Sequence, residues 1–488
     1  MSSKRKYLSS LIIITFTLFS LVLSSCNDDV FSTNPKDTLS FSTDTLTFDT
    51  VFTTIGSATA KIMVYNKNNV ALKINRISIA GGKSSNFHIN VDGSVNENNE
   101  FEGVEIRAND SMYVFVSVTV DPNKTDSTIL IEESLIFETN GIQQNIQLEA
   151  FGHDMKILRN KEITNDSTLN DSIPYVVYGN LVVDSAKTLT IKAGCKLYFH
   201  NNANLIVYGN LKATGTAEKP IIMRGDRLDK IKFATPFPYN NVAGQWGGIY
   251  LLWSGANHVL EHVNINSGYV GIYFSNNDRN NLPKLAITNC KIHNFLLYGL
   301  VVKNGNLTAV NDEISNTSSY SVYLNGGSHE FIHCTIANYF NNSSVQPSSR
   351  DKKPAVMIMN LNRIAAMKTQ FYNCIISGSS ENEFSLASRF EGQYNGTFKN
   401  CYIRTQKALD LPQFTNIKWY NKNDTVFISN RYDYEKNTYY NFALDSVSPA
   451  RGMADKTISR KYRYDLNGNN RMADGSPDAG AYEWQARK

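Results

Sequence analysis

Cysteine is scarce in this 488-residue chain. There are six, and beyond Cys26 the remaining five form an odd set with no pairable framework. No Cys-x-x-Cys or Cys/His pair spacing occurs, which argues against a metal or redox role for them. Excess charge is also missing. The net charge is +4, and Lys4, Arg5 and Lys6 supply three of those charges, so a chain without its first 25 residues carries +1. That balance exerts no general pull on nucleic acid. No segment after residue 25 approaches 18 apolar residues, so no later membrane-spanning helix is expected. Disorder of the whole chain is excluded by 42% hydrophobic and 19% charged residues. What is abundant is aromatic, with 26 Tyr and 25 Phe beside many Asn, a composition of strands and turns. The length predicts two to four domains.

Lys4-Arg5-Lys6 precedes a mostly apolar stretch from Leu8 to Leu23, too short to span a bilayer and followed by Leu21-Val22-Leu23-Ser24-Ser25-Cys26. These residues resemble a bacterial lipobox. The resemblance implies a signal peptide at 1–25, lipidation of Cys26, an acylated linker at 26–39 and an outer-membrane anchor. Asn27, Asp28 and Asp29 resemble the surface-export signal of Bacteroidota lipoproteins, implying exposure at the cell surface. Asp-Ser or Asp-Thr before a small or apolar residue resembles the O-glycosylation sequon of that phylum. It places candidate hydroxyls at Thr38, Thr45, Thr50, Ser111, Ser127, Ser167, Ser172, Ser185, Thr425 and Ser446. Asp-Ser and Asp-Thr also favour turns before β-branched runs, a reading that needs no glycan.

Residues 40–152 alternate apolar and polar in about seven short runs separated by turn clusters, the pattern of an immunoglobulin-like sandwich. Asn140-Gly141 between two alternating runs predicts a tight hairpin. Val64-Tyr65-Asn66-Lys67-Asn68-Asn69, Phe87-His88-Ile89 and Gly152 resemble, in order, features of Hydin-type Ig-like domains, which implies a spacer or interaction module.

Residues 153–405 read as repeats. Tyr178-Gly179-Asn180-Leu181 returns as Tyr208-Gly209-Asn210-Leu211. An apolar-x-(Asn/His)-Cys-x-Ile pattern, with substitutes at the Cys position, ends at Ile265, Ile292, Ile314, Ile336, Ile376 and Ile403, at intervals of 27, 22, 22, 40 and 27. Such a period without helical patterning predicts a parallel β-solenoid of about ten rungs, about 48 Å long at about 4.8 Å per rung. The pattern resembles the right-handed parallel β-helix of the pectin-lyase-like superfamily, in which the Asn stacks in a ladder at a tight turn. Cys290, Cys334, Cys374 and Cys401 share one repeat position with Asp312 and are expected as a buried thiol stack. Residues 406–488 are expected to cap the coil. Asp465-Leu466-Asn467-Gly468, Arg471 and Asp478 to Glu483 resemble the C-terminal signature of secreted β-helix proteins. Asp465-Leu466-Asn467-Gly468 also invites a Ca²⁺ reading, but it lacks the regular oxygen spacing and final Glu of an EF-hand, and a structural turn is expected; no cofactor is.

The superfamily includes polysaccharide lyases and glycoside hydrolases, so a catalytic site must be sought. No row of acids at one repeat phase is visible, and the residue set of polygalacturonases is absent. Asp226, Asp229, Asp278, Asp312 and Glu313 are expected in solvated turns, and His293, His329 and His333 at rung corners. Catalytic residues are therefore left unknown. Candidate binding residues are Phe233, Phe237 and Tyr239 in one loop and Arg350, Lys352 and Lys353 in the excess of the 40-residue interval. The expectation is an all-β, surface-exposed lipoprotein that binds glycan or an outer-membrane protein partner without catalysis. The alternatives are a lyase or hydrolase, or an architectural subunit of an outer-membrane complex.

Overall fold

The computed structural model describes residues 30–486, except 54, 55, 58, 122–128, 232–236, 253–255, 277–281, 341–348, 362–366, 388–393, 407–410 and 433–439. Cys26, Asn27, Asp28, Asp29, Ser127, Phe233 and Asp278 lie outside the described residues. The chain divides into two compact units, Met1–Asn123 with Ser127–His153, and Asp154–Lys488 with Lys124–Asp126.

The first unit is a sandwich of two five-stranded sheets. Sheet A runs in the order Ser40–Phe41, Ala60–Tyr65, Ser111–Val118, Phe87–Val91, Ser94–Val95. Sheet B runs Thr45–Phe52, Ile142–His153, Ile129–Thr139, Leu72–Ile79, Glu100–Ile106. All neighbours are antiparallel except Thr45–Phe52 with Ile142–His153. Period-two patterning explains the core: Met112, Val114, Val116 and Val118 turn inward from one strand and Ile146, Leu148 and Ala150 from another. Asn140 and Gly141 both take positive φ, 52° and 77°, as the hairpin predicted from their sequence requires. The paired Asn of the sequence are structural. Buried Asn66 donates to the carbonyls of Val70, Ile106 and Arg107 at 2.9, 3.1 and 3.0 Å, closing a turn.

The second unit is a parallel coil. Its pairings fall into three ladders. Sheet C has ten strands, from Ser167–Leu169 to Phe414–Thr415. Sheet D passes through Lys196–Phe199, Ile221–Gly225, Val263–Asn266, Lys291–Phe295, Glu313–Thr317, Thr335–Asn338, Ile375–Gly378 and Tyr402–Ile403 to Lys418–Trp419. Sheet E passes through Asn204–Val207, Gly248–Leu251, Val270–Ser275, Tyr298–Lys303, Val322–Asn325 and Val356–Met359 to Phe384–Leu386. The long strand Tyr175–Val183, itself paired in parallel with Lys156–Ile163, leads into both D and E. Parallel pairing continues to Trp419, past Thr405.

The repeated Ile of the sequence are register partners on sheet D, each paired with the next from Ile265 to Ile403, and all are buried. Each fully buried Ile contributes about 1.5–3 kcal/mol. The residue three before each Ile is the C-to-D corner. His262, Asn289, Asn311, His333, Asn373 and Asn400 occupy it with φ between 48° and 57°. That left-handed conformation is unfavourable for most side chains and tolerated by Asn, so corner geometry selects the ladder residue. Its amides also link rungs: Asn289 to His262 at 3.2 Å, Asn311 to Asn289 at 3.2 Å, and Asn373 to His333 at 3.0 Å. Rungs of 22 and 27 residues share this corner, and their length differences are taken up elsewhere.

The C-terminal segment lies along the flank of the coil. A short hairpin (Phe427–Ser429 with Asn441–Leu444) and helix Lys456–Lys461, capped by the Asp455 carboxylate, precede the tail. Val426, Phe442, Leu444, Ala450, Leu466, Ala479 and Ala481 pack on Ala337, Ile375 and Tyr402, which point outward from sheet D. Buried Arg471 donates to Asn311 Oδ1 and the Gly480 carbonyl at 3.0 Å each. Its Nη1 lies 3.6 Å from Glu483. Tyr482 donates to Glu313, the Ala481 amide to Thr335 Oγ1 at 2.9 Å, and Asn400 to the Met453 carbonyl at 2.7 Å.

Candidate functional site: a tyrosine row on sheet E

On sheet E, Ile249, Leu251, Ile272, Phe274, Leu300, Val302, Val322 and Leu324 are buried in the coil. The pleat therefore turns the residues between them outward. In register these are Tyr250, Tyr273, Val301, Tyr323 and Met357. Tyr298 and Tyr320, at the edge of the same face, stack with ring centroids 6.1 Å apart and planes 13° apart. Tyr320 continues to Tyr323 at 5.7 Å, and Tyr250 lies 5.8 Å from Tyr273. Lys303 Nζ donates to the Tyr273 hydroxyl at 2.9 Å, and Tyr323 donates to Met359 Sδ at 2.9 Å. Lys353 sits 5.3 Å from the Tyr320 centroid and 3.2 Å from Asp351. All five Tyr are half-buried. Burial pushes the Tyr250 and Tyr323 phenols up; at Tyr323 the charge of Lys303 partly opposes it. They remain neutral at physiological pH, so each offers an apolar ring and a hydroxyl that both donates and accepts. A linear polymer laid along the coil axis would meet this surface once per rung, about every 4.8 Å.

A second outward column occupies the first rungs. The Arg159 guanidinium stacks 4.4 Å from the Tyr178 ring centre, Tyr178 lies 4.5 Å from the His200 ring, and His200 Nδ1 is 2.7 Å from Asp226 Oδ2. The His200 side chain is 49% exposed and Asp226 16%. Such a carboxylate fixes the imidazole orientation and can present Nε2 as a proton acceptor.

The loop candidates divide. Phe237 is buried against Val242 and Tyr432, meeting Tyr432 edge-on at 5.2 Å, so the expected exposed aromatic is corrected. With Ile231 and Tyr239 packed against them, these three residues form a small separate core. Tyr239 is half-buried beneath the Arg227 guanidinium, 3.9 Å from its ring centre, while Arg227 is held by Asp229. Arg350 is likewise corrected: its side chain is 6% exposed. It reaches both oxygens of buried Glu383 and the carbonyls of Asn338 and Lys353, fastening the long interval to the coil. Lys352 and Lys353 are exposed, and only Lys353 meets the tyrosine row.

Two further expectations are revised. Asp312 and Glu313 are buried rather than solvated. Asp312 Oδ1 accepts the Cys290 amide at 2.8 Å, and burial holds its carboxyl far above the usual carboxylate range. Glu313 accepts from Ser315 at 2.7 Å and from Tyr482. His293 and His329 lie within strands, not corners; His329 points into the coil, and burial depresses its pKa to about 3. Of these three, His333 alone occupies a C-to-D corner, beside Asn373 and Ser459. All five described cysteines are buried free thiols.

Among the described residues no three His, Cys, Asp or Glu converge as a metal set. The Asp465 carboxylate accepts the Asn467, Asn469 and Glu483 amides and the Asn469 side chain at 2.6–3.0 Å, a turn closed by its own backbone. An open cleft of about 800 Å³ on the sandwich is lined by Asp92, Glu100, Glu102 and Glu105, far in character from either site above. Glu100 and Glu105 there already face Arg76 and Lys73. Of the sequon hydroxyls, Ser172, Thr425 and Ser446 are exposed, and Thr38, Thr45, Ser111, Ser167 and Ser185 half-buried; Thr50 lies within strand Thr45–Phe52. At Asp110-Ser111 and Asp184-Ser185 the Asp accepts the next amide at 2.7 Å, which gives those dipeptides a turn role of their own. No described helix is long and apolar enough to cross a membrane.

No family model matches the chain, and no curated protein does. Solved structures match parts of it. A family 123 glycoside hydrolase from Clostridium perfringens aligns at 8% identity over 25% of this chain and 30% of its own, with a TM-score of 0.18. The VesB protease of Vibrio cholerae aligns at 13% identity over 24% and 32%, TM-score 0.17. A PapD-like domain of human CEP192 aligns at 9% identity over 27% of this chain and 94% of its own, TM-score 0.17. The chain thus spans about a third of the length of the first two structures it resembles, and the likeness is local in every case.

Proposed function

We propose that the protein is an outer-membrane lipoprotein, exposed at the cell surface and anchored through Cys26, whose coil binds glycan along sheet E without catalysis. The observation that carries this reading is the row of five outward tyrosines flanked by Lys303 and Lys353. Rings that stack on apolar sugar faces and hydroxyls that bond sugar hydroxyls suit a glycan, and a rigid scaffold holds them in place. In affinity electrophoresis through a panel of polysaccharides, the unaltered protein should be retarded by at least one. Tyr273→Ala with Tyr323→Ala should lower the affinity at least tenfold while leaving the melting temperature nearly unchanged. Equal retardation of the two proteins refutes the assignment to this row.

A second reading is favoured by the His200–Asp226 pair, which is a lyase or hydrolase acting through His200 as a base. It predicts new reducing ends or unsaturated products from the retarding polysaccharide, abolished by His200→Ala. Retention without cleavage selects the binding reading.

A further inference from the structure

We propose that the outward face of sheet A is a resting surface for the anionic lipid layer that holds the chain's own anchor. The face is built by three strands. Lys61 pairs with Phe115 and Met63 with Tyr113 across one register, and Phe115 with Asn90 across the next. The Tyr113 and Phe115 rings stack at 5.9 Å, Lys61 lies 5.3 Å from the Tyr113 centroid, and Tyr113 is 44% exposed. Lys67 lies beside Tyr65 at the strand end, 5.9 Å from its ring.

No outward position of Ala60–Tyr65, Ser111–Val118 or Phe87–Val91 is acidic. Sheet B shows the opposite character, with Glu100, Glu102, Glu105, Glu132, Glu138 and Glu149 against Lys73 and Arg76. One face of the sandwich therefore carries aromatic rings, Lys61 and no acid within its strands, and the other is acidic. An anionic surface attracts the first and repels the second. Aromatic rings with polar tips and long basic chains suit the headgroup layer.

The route of the chain agrees. Ser40–Phe41 enters at the edge of sheet A, paired with Tyr65 and Val64. Before that strand, Phe31 pairs with Ala71 and lies 5.5 Å from Lys73, so the chain from Cys26 to the sandwich spans at most about 18 Å when extended. The lipid layer that holds Cys26 is thus kept close to the sandwich. This geometry rests on the lipid anchor proposed above, while the chemistry of the face does not.

The test uses the mature polypeptide, residues 27–488, made without acyl chains. It should float with vesicles of phosphatidylglycerol and phosphatidylethanolamine in equal parts, and much less with phosphatidylcholine vesicles. Tyr113→Ser with Phe115→Ser should lower the bound fraction roughly tenfold. Lys61→Glu, at an exposed position that no core contact depends on, should do the same, and Glu132→Gln on sheet B should change nothing. Failure of the unaltered protein to float, or equal flotation of the sheet A variants, overturns the proposal. So does a sedimentation result in which the same substitutions abolish a dimer, since the face would then meet a second copy. Intact mass of the native N-terminus reports lipidation separately, so loss of the anchor reading and loss of this one remain distinguishable.

Discussion

At the residue scale, the thiol column shows how much a single position matters. Cys290, Asp312, Cys334, Cys374 and Cys401 stand on successive rungs, and Cys374 donates its amide to Cys401 Sγ at 3.4 Å. Burial holds the Cys290 and Cys374 thiols well up, so they stay protonated. Cys374 Sγ donates to the Tyr372 and Phe331 carbonyls at 3.2 and 3.5 Å, so Cys374→Ser keeps a donor there and should cost about 1 kcal/mol or less, while Cys374→Ala loses that donor, leaves a small void and should cost more. Denaturation midpoints check the order. All five thiols of the mature chain without Cys26 should label slowly when folded and fully when unfolded without reductant. His329 carries a pH prediction. Burial depresses its pKa from 6.5 to about 3, so the unfolded chain takes up the proton first as pH falls. The native state therefore loses stability below pH 6.5, by about 2 kcal/mol at pH 5. His329→Leu, matching its partner Leu307, should abolish that part of the loss. Equal acid sensitivity of the two proteins contradicts the prediction.

At the scale of elements, the C-to-D corner was legible and the other corners were not. Asn before Cys-x-Ile recurs against an apolar mark, so its phase could be read. Asn294 and Asn316, at the turn from sheet D to E, and Asn304, from E to C, also take positive φ, at 67°, 51° and 53°. Their neighbours vary and the lengths between them differ, so no repeat exposed them. The tyrosine row left a signal that periodicity alone did not rank. Gly248-Ile249-Tyr250-Leu251 and Gly271-Ile272-Tyr273-Phe274 place Tyr at one phase, while Ser321-Val322-Tyr323-Leu324 keeps the phase without the Gly. Phe237 and Arg350 were misjudged because composition marks a loop as polar or aromatic without saying whether it folds back onto protein. The corner yields a prediction. Asn373→Ala loses the bond to His333, leaves the Asp455 amide without its 2.8 Å acceptor and places Ala at φ 56°. It should cost about 2–4 kcal/mol. Asn373→Gly should recover about 1 kcal/mol of this, because Gly accepts the backbone conformation. Urea midpoints of the two variants decide it.

At the scale of the molecule, the sandwich and the coil each bury a core of their own. Val114→Ala should then lower one calorimetric transition and Ile314→Ala a different one; a single transition shifted by both would mean that the units melt together. The coil alone would be weak against tension, since stacked rungs held only by their neighbours can open one after another. The tail changes that. It is tied at Asn311, Thr335, Asn373 and Asn400, so it crosses the stack from rung to rung. A pull along the coil axis would have to shear those ties together before the rungs they span could separate. The last forty residues would then act less as a lid than as a tendon, sharing load among rungs that would otherwise yield in turn.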